Sequence, residues 1–210
     1  MSTYNLAEYQ ARAVTTAIYD DEWTSAYPLI GLANEAGELA KEVAKFSSAC
    51  HSFARMEGVA FLHGGDEGRE YAKAVTVDKH RQLIKGEAGD VLWYAAAAAR
   101  DLELWLPPVF DTTMGEDCAS FWTPEQAALH LCATTSEALG LVKKSMRDDK
   151  TVWAVSRTEK AKELVDRSIH ELAGLLWLLG VDFAEAADAN LAKLASRAKR
   201  GVLNGDGGER

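Results

Sequence analysis

Apolar residues recur at helical spacing along most of the chain, and no stretch alternates as a half-buried strand does. Leu6, Tyr9, Ala13 and Ala17 predict a helix over 6–19. After the loop DDEWTSAY, Pro28 stands where a first helical turn tolerates it, and a helix continues to about 46. Over 47–76 the period weakens at Gly58, Gly64, Gly65 and Gly68, which predicts an ordered insertion or lid with a helical turn around 67–74. Asp78 is placed to cap a long helix running to Leu106, stopped by Pro107 and Pro108. That helix contains an alanine run, 95–99, small enough for close packing. Residues 107–123 have no period and read as a linker. Thr123-Pro-Glu-Gln126 has the form of a capping box ahead of a helix to about 146. Ser156-Arg-Thr-Glu159 repeats that signature before a helix to Leu179, where Gly180 stops it. Asp182 with Glu185 opens a last helix to about 199, and the glycine-rich tail, 200–210, holds structure only if a ligand orders it. The expectation is an all-α chain.

Within two of these helices the polar residues break the amphipathic pattern. IGLANEAGELAKEVAK (30–45) carries Glu35 and Glu38, and KGEAGDVLWY (85–94) carries Glu87 and Asp90. Acids three apart on a helix share a face, a turn from one another. Here they sit among Ile30, Leu32, Leu39, Val43, Val91, Leu92 and Trp93, residues expected to face a core. Carboxylates beside a core are costly unless a cation neutralises them. An all-oxygen ligand set, without His or Cys, selects a hard ion, Mg2+ or Mn2+. The alternative is a solvated, salt-bridged face of Glu35, Glu38, Lys41, Glu42 and Lys45.

Composition narrows the setting. With 210 residues, 48% of them hydrophobic, the chain has enough material for a substantial core. A net charge of −9 leaves no basic footprint for nucleic acid, although a nucleotide needs only a few placed cations. Cys50, Cys118 and Cys132 lack zinc-type spacing and fit free thiols in a reducing cytosol. His51 and His63 have no partner motif. The N-terminus lacks a signal-peptide pattern and no apolar run is long enough to span a membrane. A cytoplasmic protein without membrane or nucleic-acid partners is the expectation.

The two halves resemble each other. Residues 30–45 align without a gap on 129–144, so that Leu32 meets Leu131, Glu38 meets Glu137, Val43 meets Val142 and Lys45 meets Lys144. GEAGDVLW (86–93) lies over HELAGLLW (170–177), pairing Glu87 with Glu171 and Trp93 with Trp177, both tryptophans being expected in the core. Glu35 becomes Thr134 and Asp90 becomes Gly174, so the second copy loses the pairs. Two helical hairpins covering each other's apolar faces predict a four-helix bundle. The division expected is a first repeat over 1–106, the linker, a degenerate repeat over 124–199 and the tail.

Glu35-Ala-Gly-Glu38 followed by Glu87-Ala-Gly-Asp90 resembles the ExxE…ExxD signature of the all-α, MazG-like nucleoside triphosphate pyrophosphohydrolases. The ending Asn190-Leu-Ala-Lys193-Leu-Ala-Ser-Arg197 is similar to that of small phage and bacterial MazG-like proteins. Lys143-Lys144-Ser-Met-Arg147-Asp148-Asp149 resembles a stretch that usually follows the first acidic pair, here displaced into the second repeat. The tandem arrangement is also similar to the dimeric all-α dUTPases, with one working and one degenerate repeat.

The resemblance implies hydrolysis of a (deoxy)nucleoside triphosphate to monophosphate and pyrophosphate in bacterial or phage-infected cytoplasm. Glu35, Glu38, Glu87 and Asp90 would hold Mg2+ (Mn2+ as substitute), with Glu35 or Glu38 taking the proton of the attacking water. Lys45, Lys144, Arg147, Lys193 and Arg197 would bind the polyphosphate, and Asn190 the sugar or a phosphate. Gln10, Trp23 and Asn34 are candidates for a base pocket. A homodimer of such pseudo-dimeric chains is expected. Two narrower or different readings stay open: a dUTP-specific hydrolase, and a non-catalytic bundle that binds nucleotide or protein.

Overall fold

The structure is a computed structural model that describes residues 2–20, 25–60, 67–113, 122–149 and 153–203, with backbone alone over 53–60 and 67–74. Among the described residues it is all-α apart from one short strand pair. Six helices follow in order: α1 (Leu6–Ala13), α2 (Ala26–Ala60), α3 (Glu67–Asp101), α4 (Pro124–Asp148), α5 (Val155–Leu179) and α6 (Phe183–Lys199). The strands β1 (Thr3–Tyr4) and β2 (Phe110–Asp111) pair antiparallel, Thr3 opposite Asp111. That pairing departs from the strand-free expectation and ties part of the expected linker to the N-terminus. Phe110 is buried and packs on the rings of His170 and Phe183 at 5.1 and 5.4 Å. Residues 114–121 of the linker lie outside the described residues.

Helices α2 to α5 close a ring. α2 packs on α3 and α4, α4 on α5, and α5 back on α3, while α1 and α6 add a further layer over α3. This surrounding explains the alanine run. Ala95–Ala99 are all at most 1% exposed, which a helix manages only with neighbours on every side. Small side chains let those neighbours approach. One continuous apolar cluster joins both halves, from Leu32, Leu39 and Val43 through Val91 and Leu92 to Leu131, Leu164, Leu172 and Leu176. Each such burial contributes roughly 1.5–3 kcal/mol.

Helix boundaries differ from the expectation where local chemistry intervenes. α1 ends at Ala13 rather than near 19 and tightens into a 3₁₀ turn, Val14–Thr16. There the Thr15 and Thr16 hydroxyls donate to the carbonyls of Arg12 and Ala13, and the Trp93 indole donates to Ala13 O at 3.0 Å. α2 starts before Pro28: Ser25, at φ 65°, donates its backbone N–H to the Asp101 carboxylate at 3.0 Å, tying the start of α2 to the end of α3. The expected insertion is largely continuous helix, α2 running on to Ala60 and α3 starting at Glu67, with 61–66 outside the described residues. Gly58 and Gly68 are carried inside helix at a cost of about 1 kcal/mol each relative to alanine. Asp78 is therefore interior to α3.

The capping box at Thr123 forms with both reciprocal bonds, and Asp182 caps α6 through the Glu185 N–H at 2.8 Å. Gly180 closes α5 in the left-handed region at φ 62°. The second expected box does not form: Ala154 is the N-cap of α5 and Ser156 lies inside the helix. Two core expectations also give way. Ile30 and Trp177 are each 44% exposed. Trp93 is covered by α1 and the 3₁₀ turn, which lie on α3. Among the described residues no second helix of that kind covers Trp177.

Candidate functional site: a carboxylate cluster between α2 and α3

The α2 stripe that carries Glu35, Glu38 and Glu42 runs beside the residues that face the core, Ala36, Leu39 and Val43. Burial of the latter fixes the rotation of the helix, and so aims the acids along the α2–α3 seam. α3 does the same with Glu87 beside Ala88 and Val91. One carboxylate oxygen from each of Glu35, Glu38 and Glu87 lies within 4.8 Å of the others, a spacing that a single cation can bridge. Asn34 donates its amide to Glu38 Oε1 at 3.1 Å and, weakly, to Glu35 Oε1 at 3.5 Å. It thus orients the acids.

The electrostatics match that geometry. Burial first, then the charges of Asp90 and Glu38, push the Glu35 carboxyl up to about 7; the Asn34 bond opposes them. Glu87 is raised by burial, then by Asp90 and Glu38, with Lys193 opposing. Like charges at close range are relieved by a proton or a cation. The donor set is all oxygen, so Mg2+ or Mn2+ fits it.

Asp90, whose charge acts on Glu35 and Glu87, differs from the three glutamates in being paired. Lys193 donates to both its oxygens, at 2.5 and 2.6 Å, and Asn190 donates Nδ2 at 2.8 Å. Asn190 is buried and held in turn by the Tyr9 hydroxyl at 3.1 Å. Gly89 lets this happen: a Cβ there would stand 2.7 Å from Asn190 Cβ and 3.0 Å from the Ala186 carbonyl. Asp90, expected as a ligand, and Asn190 and Lys193, expected on the substrate, thus already contact each other. In this structure they are one another's partners. The sequence brings them to one place but does not reveal that the opposite charges meet.

Other expected contacts are dispersed. Lys144 and Arg147 are exposed on α4, Arg147 pairs with Asp148 at 2.6 Å, and neither contacts the cluster among the described residues. Arg197 lies one turn beyond Lys193 on α6, half-buried. Lys45 pairs with Glu42 at 2.5 Å rather than standing free. Gln10 is withdrawn from any base pocket. Its buried amide donates to Leu104 O at 3.0 Å and accepts from Leu106 N at 3.2 Å, serving the backbone after α3. Trp23 lies outside the described residues. Asn34 belongs with the acids.

Two residues emerge that the sequence reading did not place in the site, Glu42 being assigned there only to the alternative, salt-bridged face. Glu42 is 9% exposed, and its Oε2 has no hydrogen-bond partner among the described residues. Its position seven after Glu35 and four after Glu38 was the available signal. Tyr94, a turn beyond Asp90, lays its ring against Gly31, where a Cβ would stand 2.0 Å from it.

In the second half, Thr134 Oγ1 donates to Glu171 Oε1 at 3.0 Å, and Arg167 Nε donates to the same oxygen at 2.8 Å. Glu137 is exposed, 3.9 Å from Lys160. These are the positions that the sequence aligns on Glu35, Glu87 and Glu38.

The chain is 32% identical over 107 residues to the "Gene 37 protein" of Mycobacterium phage L5, a match covering 48% of this chain and 75% of that protein. No family model and no solved structure matches the chain. Among the described residues no helix is long and apolar enough to cross a membrane.

Proposed function

This chain belongs to the family of the Mycobacterium phage L5 Gene 37 protein, and we propose that its activity is that of a MazG-like pyrophosphohydrolase: Mg2+-dependent hydrolysis of a (deoxy)nucleoside triphosphate to the monophosphate and pyrophosphate. The observation that carries the reading is the cluster of Glu35, Glu38 and Glu87 within 4.8 Å, with a lysine from α6 at its edge. These three glutamates would hold the ion, which when bound supplies Lewis acidity toward phosphate oxygens and lowers the pKa of water. Glu42, with an unpartnered buried oxygen on the same stripe, adds negative charge behind them.

The chain's own residues have definite tasks in this scheme. Glu35, the acid pushed up to about 7, takes the proton of the attacking water at its carboxylate. Asn34 fixes the carboxylate rotamers. Lys193 leaves Asp90 for a phosphate oxygen when substrate arrives, and Asn190 keeps Asp90 in place meanwhile. Arg197, on the next turn, extends the cationic edge along the polyphosphate.

One observation favours a second reading. Asp90 is already neutralised by Lys193 and Asn190, as in a non-catalytic bundle with a residual acidic site. A panel separates the two: each common NTP and dNTP, and dUTP, with Mg2+ and then Mn2+, scoring pyrophosphate and monophosphate. Release from one or more substrates is expected, and release from dUTP alone narrows the enzyme to a dUTPase. Silence across the panel with both metals overturns the enzymatic reading.

A further inference from the structure

Two helical turns before Glu35, the same face of α2 carries an exposed aromatic residue. Tyr27 is 43% exposed, and Tyr27, Gly31 and Glu35 follow at steps of four, so they stand in one column. On α3, Glu87, Asp90 and Tyr94 form the matching column at steps of three and four. Tyr94 reaches across the seam into the notch left by Gly31, its ring tilted at 47° to that of Tyr27 with centroids 6.1 Å apart. Beyond Tyr27, the Tyr19 ring stacks on it at 4.8 Å and 29°. Tyr19 is itself fixed, its hydroxyl donating to Asp101 at 2.9 Å and accepting from Arg100 at 2.6 Å. The three rings therefore form one contiguous group, on the same two helix columns as the carboxylates.

We propose that Tyr27, backed by Tyr19 and braced by Tyr94, is the platform on which the planar base of the nucleotide stacks. The inference rests on the hydrolase reading for the position of the phosphates, and adds the element that recognises the base. Eight residues of helix place Tyr27 about 12 Å along α2 from Glu35. That matches the span of an extended nucleoside triphosphate between its base and its outer phosphates. Stacking on a tyrosine face is tolerant of base identity, because every base presents a π-face. Ile30, 44% exposed one turn after Tyr27, extends the apolar surface. The ring pair also explains Gly31, since any side chain there would drive Tyr94 out of its notch. A tyrosine that only sealed the bundle end would need neither the exposure of Tyr27 nor continuity with the acids.

The test compares binding of the four non-hydrolysable α,β-imido dNTPs with binding of inorganic tripolyphosphate, by calorimetry with Mg2+. The full chain should bind at least one analogue about 10-fold more tightly than tripolyphosphate, the scale of one stacked base. Tyr27→Ala should abolish that preference while leaving tripolyphosphate affinity unchanged, and Tyr27→Phe should keep it. Tyr27→Leu, which preserves bulk without a ring, gives the same readout if the alanine variant does not fold. A wild type without preference, or a preference that survives both ring-removing variants, overturns the platform. The two readings fail separately. Preference without turnover removes the hydrolase and keeps the platform; turnover with base preference indifferent to Tyr27 removes the platform and keeps the hydrolase.

Discussion

The two helical hairpins of the bundle treat their acids in opposite ways. Between α2 and α3, Glu35, Glu38 and Glu87 converge within 4.8 Å with a polar amide as the bridge between two of them. Between α4 and α5, the aligned positions hold one half-buried carboxylate, Glu171, bound by Thr134 and by Arg167. Glu137, the remaining acid there, points to solvent near Lys160. Backbone architecture alone does not make a metal site. What separates the hairpins is whether the protein supplies the counter-charge itself. In the second it does, through Arg167. In the first it leaves the charge incompletely balanced, at a cost to stability that a cation, were one bound there, would offset through linkage.

Removing an acid from the first hairpin tests the contrast most severely. Glu35→Gln should lower kcat by about 10²–10⁴-fold, the range for losing a general base. Pyrophosphate release measures it, and retention of wild-type kcat would remove Glu35 from the proposed chemistry. Mn2+ binding, followed by calorimetry, should weaken in the same variant.

A pH series is the next largest effect. Glu35 is held at about 7 in the fold against an ordinary 4.5, and Glu87 shifts in the same direction. A raised acid contributes stability that is complete below its unfolded pKa and lost as pH rises through its folded one. The metal-free protein should therefore show a falling Tm as pH rises from 4.5 to about 7. Added Mg2+ should restore Tm at the upper end, and Glu35→Gln should flatten the slope. A Tm that rises across this window, in the absence of metal, would show the cluster to be internally balanced like its counterpart.

The smallest effect lies in the second hairpin. Thr134→Val removes one of the two donors to Glu171 Oε1, at about 1–2 kcal/mol in a urea unfolding series. Turnover and Mn2+ affinity should stay at wild-type values. A loss of metal binding in this variant would erase the distinction between the hairpins.

Much of the site was readable from the chain. Acids three apart among apolar residues announce a shared face near a core, and Glu35, Glu38 and Glu87 do meet. The capping box at Thr123, the stop at Gly180 and the cap at Asp182 were equally legible, because caps depend on residues within one turn of each other. The region over 47–76 misled because glycines weaken a periodic signal without forbidding helix; continuing an existing helix avoids a new nucleus. Gln10 misled for another reason. Its amide was suited to a base, but the nearest unmet backbone groups were those after α3.

The sequence by itself determined the helical class, most caps, and which residues share a helix face, since a period of 3.6 residues is a local property. Only the tertiary structure decided which faces are covered and which charges meet. Lys193 reaches Asp90 across 103 positions of chain because α6 lies on α3, with Gly89 permitting the approach. Trp93 is sheltered and Trp177 exposed because α1 lies on α3. Local period fixes the direction of a side chain; the partner it finds is set by packing between segments far apart in sequence.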